Sequence, residues 1–130
     1  MSTDLDKVKL TLPFKAEYVS MARLLSSGMA NRVGFDIDII EDIKVAVAEV
    51  CNRFVKIGSQ SVENYEVVFE VSDKGLNIVF YCEDKNLHCI FENDEDGLGA
   101  AIINALMDEV EFCSENEYIL SMFKAIEGNF

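Results

Sequence analysis

The chain has 130 residues, half of them hydrophobic, and carries a formal charge of −13 from 11 Lys and Arg against 24 Asp and Glu. This length suits one compact domain, 1–130, with enough apolar side chains for a core. The acidity opposes binding to nucleic acid or to anionic membranes, which both draw on Lys and Arg, and suits a basic or mixed-charge protein partner or simple solubility.

The first element is an alternating run, Val8-Lys9-Leu10-Thr11-Leu12, which predicts a strand that Pro13 ends. A helix follows over about Ala16 to Arg32. Tyr18, Met21, Ala22, Leu25, Met29 and Val33 recur at spacings of three and four, and Gly34 suits a left-handed end. A second helix runs from about Asp38 to Lys56. Asp38 and Glu41 have the spacing of a capping box, and Ile43, Val47, Val50, Phe54 and Ile57 form its apolar stripe.

The period then changes from 3.6 to 2. Tyr65, Val67, Phe69 and Val71 share one face of a strand, and Ser72-Asp73-Lys74-Gly75 turns the chain. Leu76, Ile78, Phe80 and Cys82 share one face of the next strand. A polar loop spans Glu83 to Asp96. Gly97-Leu98-Gly99 opens a third helix that runs to about Met107. Val110 and Phe112 predict a strand, Ser114-Glu115-Asn116-Glu117 a turn, and Tyr118, Leu120 and Met122 a last strand. The order β-α-α-β-β-α-β-β predicts an α/β two-layer sandwich. Its sheet is largely antiparallel, with about five strands, and three helices cover one face.

The four cysteines, Cys51, Cys82, Cys89 and Cys113, contain no CxxC pair, and His88 is the only histidine. No metal site is expected, and reduced thiols are. No apolar run approaches the ~18 residues of a membrane span. The start Met1-Ser2-Thr3-Asp4 lacks a basic segment followed by an apolar one. A cytoplasmic location is expected.

Three stretches carry a family resemblance. Ile40-Glu41-Asp42-Ile43-Lys44-Val45-Ala46-Val47-Ala48-Glu49-Val50-Cys51 resembles the N-box helix, with its IKxAVxEAxxNA core, of the GHKL (histidine-kinase-like) ATPase superfamily. The branch it resembles is the bacterial anti-sigma-factor serine-protein kinases. The run from Gly97-Leu98-Gly99 to Leu106-Met107-Asp108-Glu109-Val110 is similar to the family's second glycine box, the helix after it and the LMDxV strand entry. Ala22-Arg23-Leu24, after the opening LPFKAEYVSMARL, matches the first helix. The resemblance covers nearly the whole chain in order.

It implies ATP or ADP as cofactor, with Mg²⁺, and a sigma factor or an anti-anti-sigma protein as partner. It also implies a dimer formed through the first strand and helix. Glu49 takes the role of general base toward a serine hydroxyl. Four residues on, where the family has a magnesium-ligating asparagine, stands Arg53, which cannot ligate a metal. Arg53 could meet a phosphate directly, or pair with Glu49 across one helical turn. Asn52 is expected to point elsewhere, being about 100° of helix away.

Asp84 matches the aspartate that binds the adenine amino group. Asn86 stands where the family has a glycine, so the first glycine box is degraded, and Asp84 could be an ordinary loop acid. Gly97 and Gly99 could offer backbone N–H groups to phosphate, with Glu92, Asp94, Glu95 and Asp96 opposing it, or simply allow close packing. Arg23 implies a partner contact on the rim of the first helix, or a solvated side chain. The expected function is a regulator of bacterial transcription that acts by protein–protein binding, with weak or lost kinase activity. The alternative is an active ATP-dependent protein serine kinase acting on an anti-anti-sigma factor. Dimer scaffolding with neither nucleotide nor sigma binding is a third reading.

Overall fold

The computed structural model describes residues 6–87, 89–92, 97–113 and 118–126. The sequence-derived turn at 114–117, His88 and the acids Asp94, Glu95 and Asp96 lie outside the described residues.

Five strands and three helices follow the expected order. Strand β1 (Asp6–Pro13) leads through a 3-10 turn (Ala16–Tyr18) to helix α1 (Val19–Val33) and helix α2 (Ile37–Ile57). Then come β2 (Asn64–Val71), β3 (Gly75–Tyr81), a second 3-10 turn (Lys85–Leu87), α3 (Leu98–Leu106), β4 (Glu109–Phe112) and β5 (Leu120–Ala125). The sheet order is β1-β2-β3-β5-β4. All four pairings are antiparallel. The α/β two-layer architecture with a five-stranded antiparallel sheet is therefore as the pattern predicts.

Pro13 remains within β1 as its last residue, opposite Asn64. An edge strand tolerates a proline because the missing N–H faces no neighbour. Helix α2 begins two residues earlier than expected. Its cap is Asp36, whose carboxylate accepts from the Ile39 N–H at 3.0 Å. Glu41 forms no capping box; it pairs with Lys44 at 3.1 Å.

The buried face of α1 is rotated from the predicted stripe. Val19, Ala22, Ser26, Met29 and Ala30 are buried, while Tyr18, Met21 and Leu24 are exposed. Ser26 enters the core because its hydroxyl donates to the Ala22 carbonyl at 2.6 Å, which leaves no unpaired group. On α2, Ile43, Val47, Val50 and Phe54 are fully buried as expected, but Ile57, at the last turn, is exposed. They meet Tyr65, Val67 and Phe69 from β2 and Leu76, Ile78 and Phe80 from β3. Phe54 stacks on Tyr65 with centroids 4.4 Å apart and planes 6° from parallel. This aromatic contact fixes α2 against the sheet.

Gly75 starts β3 at φ 154°. A Cβ there would lie 2.1 Å from the Lys124 carbonyl oxygen of β5, so the β3–β5 approach requires glycine.

The expectation of four reduced thiols is corrected. Cys89 and Cys113 form a disulfide with Cα atoms 4.6 Å apart, and Cys51 and Cys82 are free. The pair is 24 residues apart in sequence, and only the fold of the loop before α3 brings it together.

Candidate nucleotide and phosphate cleft

Helix α2 buries one side in the core and turns another toward α3. Residues three, four and seven apart on a helix share a face. Glu49, Asn52, Arg53 and Lys56 have that spacing. With Phe91, Leu98, Gly99 and Ile102 they line a cleft of about 250 Å³. Glu49, Arg53 and Gly99, which the sequence singles out, are thus brought together.

Asn52 also faces this cleft, contrary to expectation. It lies 100° from Arg53 but three residues from Glu49, which puts it on the other side of the same face. Lys56 is a further member that the sequence reading did not single out. The signal was present, since Lys56 is seven residues, almost two full turns, from Glu49.

Glu49 and Arg53 do not pair. The Arg53 Nε–H donates instead to the Ile90 carbonyl, 37 residues away. The guanidinium is half-buried, and beyond its Nε–H it carries terminal N–H donors of the kind that bind anions. No ion pair or hydrogen bond engages Glu49 among the described residues, so its carboxylate is open to a donor in the cleft.

Asp84 and Gly97 do not line this cleft. Asp84 is only 7% exposed and lies just under the surface. The Ser59 hydroxyl donates to its Oδ2 at 2.6 Å, and the Asn86 N–H donates to its Oδ1 at 2.9 Å. These bonds, the Ser59 one foremost, hold its pKa below the usual carboxylate value, against the opposing effect of burial. Asp84 is therefore more than a solvated loop acid: it fastens the end of α2 to the turn after β3. Asn86 sits in that turn with ordinary backbone geometry, so a left-handed residue is not required there. Gly97 is left-handed at φ 64°, and its carbonyl starts α3 by accepting from the Ala101 N–H at 3.1 Å. Arg23 is exposed on α1, away from the cleft.

Among the described residues that line it, the cleft's charge is +1, from Arg53 and Lys56 against Glu49, within a chain of −13. It suits an anion such as a phosphate group. It suits magnesium poorly. That ion takes near-octahedral oxygen ligands, and here two side-chain oxygen donors, Glu49 and Asn52, stand beside two cations. Among the described residues no group of three or more His, Cys, Asp or Glu is arranged to hold a metal. A second cleft, of about 240 Å³ beside β2, includes Glu63, Glu66 and Glu83 and would repel phosphate.

A five-stranded antiparallel sheet under three helices, with a helix-borne acid facing a glycine-started helix, defines a histidine kinase-like ATPase fold. The chain belongs to that family: the model of the histidine kinase-like ATPase domain matches residues 12–124. Among its relatives is the serine-protein kinase RsbW of Bacillus cereus (strain ATCC 10987 / NRS 248). It is 31% identical over 138 residues, covering 94% of this chain and 86% of that protein. The serine-protein kinases RsbW of Bacillus thuringiensis (strain Al Hakam) and Bacillus anthracis (strain CDC 684 / NRRL 3495) are each 32% identical with the same coverage. The serine-kinase branch named by the N-box and glycine-box motifs is therefore the right one. No helix among the described residues is long and apolar enough to cross a membrane.

Proposed function

We propose that this chain is an anti-sigma-type regulator that acts by binding protein partners, with phosphoryl transfer from ATP weakened or lost. The observation that carries this reading is Arg53. It occupies the N-box position of the family's magnesium-ligating asparagine, and it is tied to the Ile90 carbonyl inside the cleft that also holds Glu49. A cation there displaces the metal that would neutralise charge on a transferring phosphoryl group. ATP or ADP is held instead through its phosphates by Arg53 and Lys56, without a protein-bound Mg²⁺. The partner surface is on α1, where Arg23 is exposed. Arginine is a common anchor in protein interfaces. Its partner is a sigma factor or an anti-anti-sigma protein. A homodimer through β1 and α1 belongs to the same reading, as does a cytoplasmic location.

Calorimetric titration with ATP and ADP, with and without Mg²⁺, tests the cleft. Transfer of γ-phosphate to a candidate anti-anti-sigma protein tests the enzyme. The expected result is nucleotide binding unaffected by magnesium, partner binding that Arg23→Ala weakens, and no phosphoserine. Arg53→Asn is expected to make nucleotide binding magnesium-dependent. Efficient transfer by the unmodified chain would overturn the proposal.

The second reading, an active serine kinase, draws support from Glu49. Its carboxylate is open to the cleft and stands across from Gly99 at the start of α3. That reading requires Glu49→Ala to abolish the transfer.

A further inference from the structure

The cleft is walled opposite α2 by Leu98, Gly99 and Ile102 of α3 and by Phe91 of the segment 89–92. Three contacts fasten this segment. Cys89 is bonded to Cys113, one residue past the end of β4. The Phe91 ring meets Phe112 edge-on, with centroids 5.8 Å apart and planes at 83°. The Ile90 carbonyl accepts from Arg53 Nε. The disulfide and the ring contact hold the segment to β4, and the carbonyl holds it to α2.

The two joined cysteines differ in exposure from buried Cys51, while free Cys82 is half-exposed like them. Cys89 and Cys113 are half-exposed and within reach of small oxidants and reductants. Cys51 is buried, and burial pushes its thiol up to about 12, which keeps it unreactive. Cys113 also has φ 54°, a left-handed geometry that side-chain-bearing residues rarely adopt; it is the one non-glycine with positive φ among the described residues.

With the segment fastened, the cleft measures about 250 Å³. Sites for small organic ligands usually span roughly 300–1,000 Å³. At about 250 Å³ the cleft falls below that range and suits a phosphate-sized group better than a whole nucleotide. Phe91, two residues from the disulfide, is one of its lining side chains.

We propose that Cys89 and Cys113 form a redox-operated latch on this cleft: the disulfide holds the 89–92 wall in and keeps nucleotide out, and the dithiol lets it in. The proposal rests on the reading of the cleft as a nucleotide site. Closure by a peroxide balances as follows. Two thiols give up two protons and two electrons, the S–S bond forms, and the O–O bond of hydrogen peroxide breaks to yield two waters. Opening is exchange with a dithiol reductant. Its thiolate attacks one sulfur and releases the other as a thiol, and its second thiol then displaces the remaining cysteine as it forms its own disulfide.

The test compares the full chain after dithiothreitol and after hydrogen peroxide, each reagent removed before measurement. Thiol titration under denaturing conditions is expected to give four thiols in the first form and two in the second, with the 89–113 linkage confirmed by peptide mass spectrometry. ADP affinity, by calorimetry, is expected to be at least tenfold weaker in the oxidised form. Cys113→Ser and Cys89→Ser are each expected to hold the reduced affinity after peroxide; either one suffices if the other fails to fold. Four thiols after peroxide, or equal affinities in two forms that both bind ADP, would overturn the latch. Amide hydrogen exchange at residues 90–92 provides a readout that needs no ligand, with exchange expected to be at least tenfold slower in the oxidised form. If neither form binds ADP, the nucleotide reading of the cleft fails. The latch as a clamp on the wall is then decided by exchange alone, and equal rates would refute it.

Discussion

Replacing Tyr65 with phenylalanine removes one oxygen from the centre of the core and leaves its shape unchanged. Tyr65 is 1% exposed and stacked on Phe54, with the Phe14 ring 5.2 Å away. Its hydroxyl has no hydrogen-bond partner of good geometry among the described residues. Its closest electrostatic neighbour is the Cys51 thiol, a weak donor and acceptor, and burial pushes the phenol far above its usual pKa. An unsatisfied buried hydroxyl costs about 1–3 kcal/mol, and the thiol offsets part of that. Tyr65→Phe should therefore stabilise the protein by about 1 kcal/mol. For a chain of this length that raises Tm by about 3–5 °C. Urea unfolding followed by far-UV circular dichroism measures it as a higher midpoint at unchanged slope. Loss of 0.5 kcal/mol or more would show that the hydroxyl has a partner, such as a buried water or a well-aligned Cys51 thiol, and would refute the reasoning.

Gly75→Ala should be among the most damaging single changes. The added Cβ meets a backbone carbonyl of β5 rather than a movable side chain, and φ 154° is itself unfavourable for alanine. A drop of about 3 kcal/mol or more, or loss of soluble protein, is expected in the same unfolding assay. Asp84→Asn should lower stability at neutral pH and less so in acid. The folded-state pKa lies below the ordinary 3.8, so the carboxylate's contribution is complete above that value and is lost as pH falls through the folded pKa. Unfolding midpoints of wild type and variant should therefore converge at the acid end; a constant gap would show that Ser59 does not distinguish the ionised form.

The order of elements was legible because period and punctuation agree along most of the chain. Tyr65, Val67 and Phe69 alternate without interruption, and each is buried. Helix α1 misled because small residues form its core face. Ala22, Ser26 and Ala30 carry little hydrophobic signal, whereas Met21 and Leu24 carry much and face outward. In the site, Glu49, Arg53 and Gly99 were marked by the family motifs, and their four-residue spacing put Glu49 and Arg53 on one helix face. The Arg53–Ile90 bond was not legible, since it joins a helix to a loop 37 residues on and involves a backbone oxygen that any residue would supply. The Cys89–Cys113 pair was hidden for the same reason. The 3-10 turn at Lys85–Leu87 and the approach of β4 to the loop decide it, and neither has a sequence period.

Helix α2 keeps the residues that hold the fold apart from those that face the cleft. Its core face, Ile43, Val47, Val50 and Phe54, is fully buried and sets the helix position, while Arg53 and Lys56 lie on the cleft face. Exchanging a residue on the cleft face changes chemistry at little cost in packing. Exposed Arg23 is on α1, a separate element, so under the proposed function partner binding and nucleotide binding use separate surfaces. Two sites with no shared contacts should give additive free energies. The double variant Arg23→Ala with Arg53→Asn should then weaken partner binding by the same factor as Arg23→Ala alone, within about 0.5 kcal/mol. It should also show the nucleotide behaviour of Arg53→Asn alone. Calorimetry on the four forms measures both. Coupling above that limit would mean that the cleft and the α1 surface communicate through the α1–α2 packing, and that the nucleotide governs which partner is held.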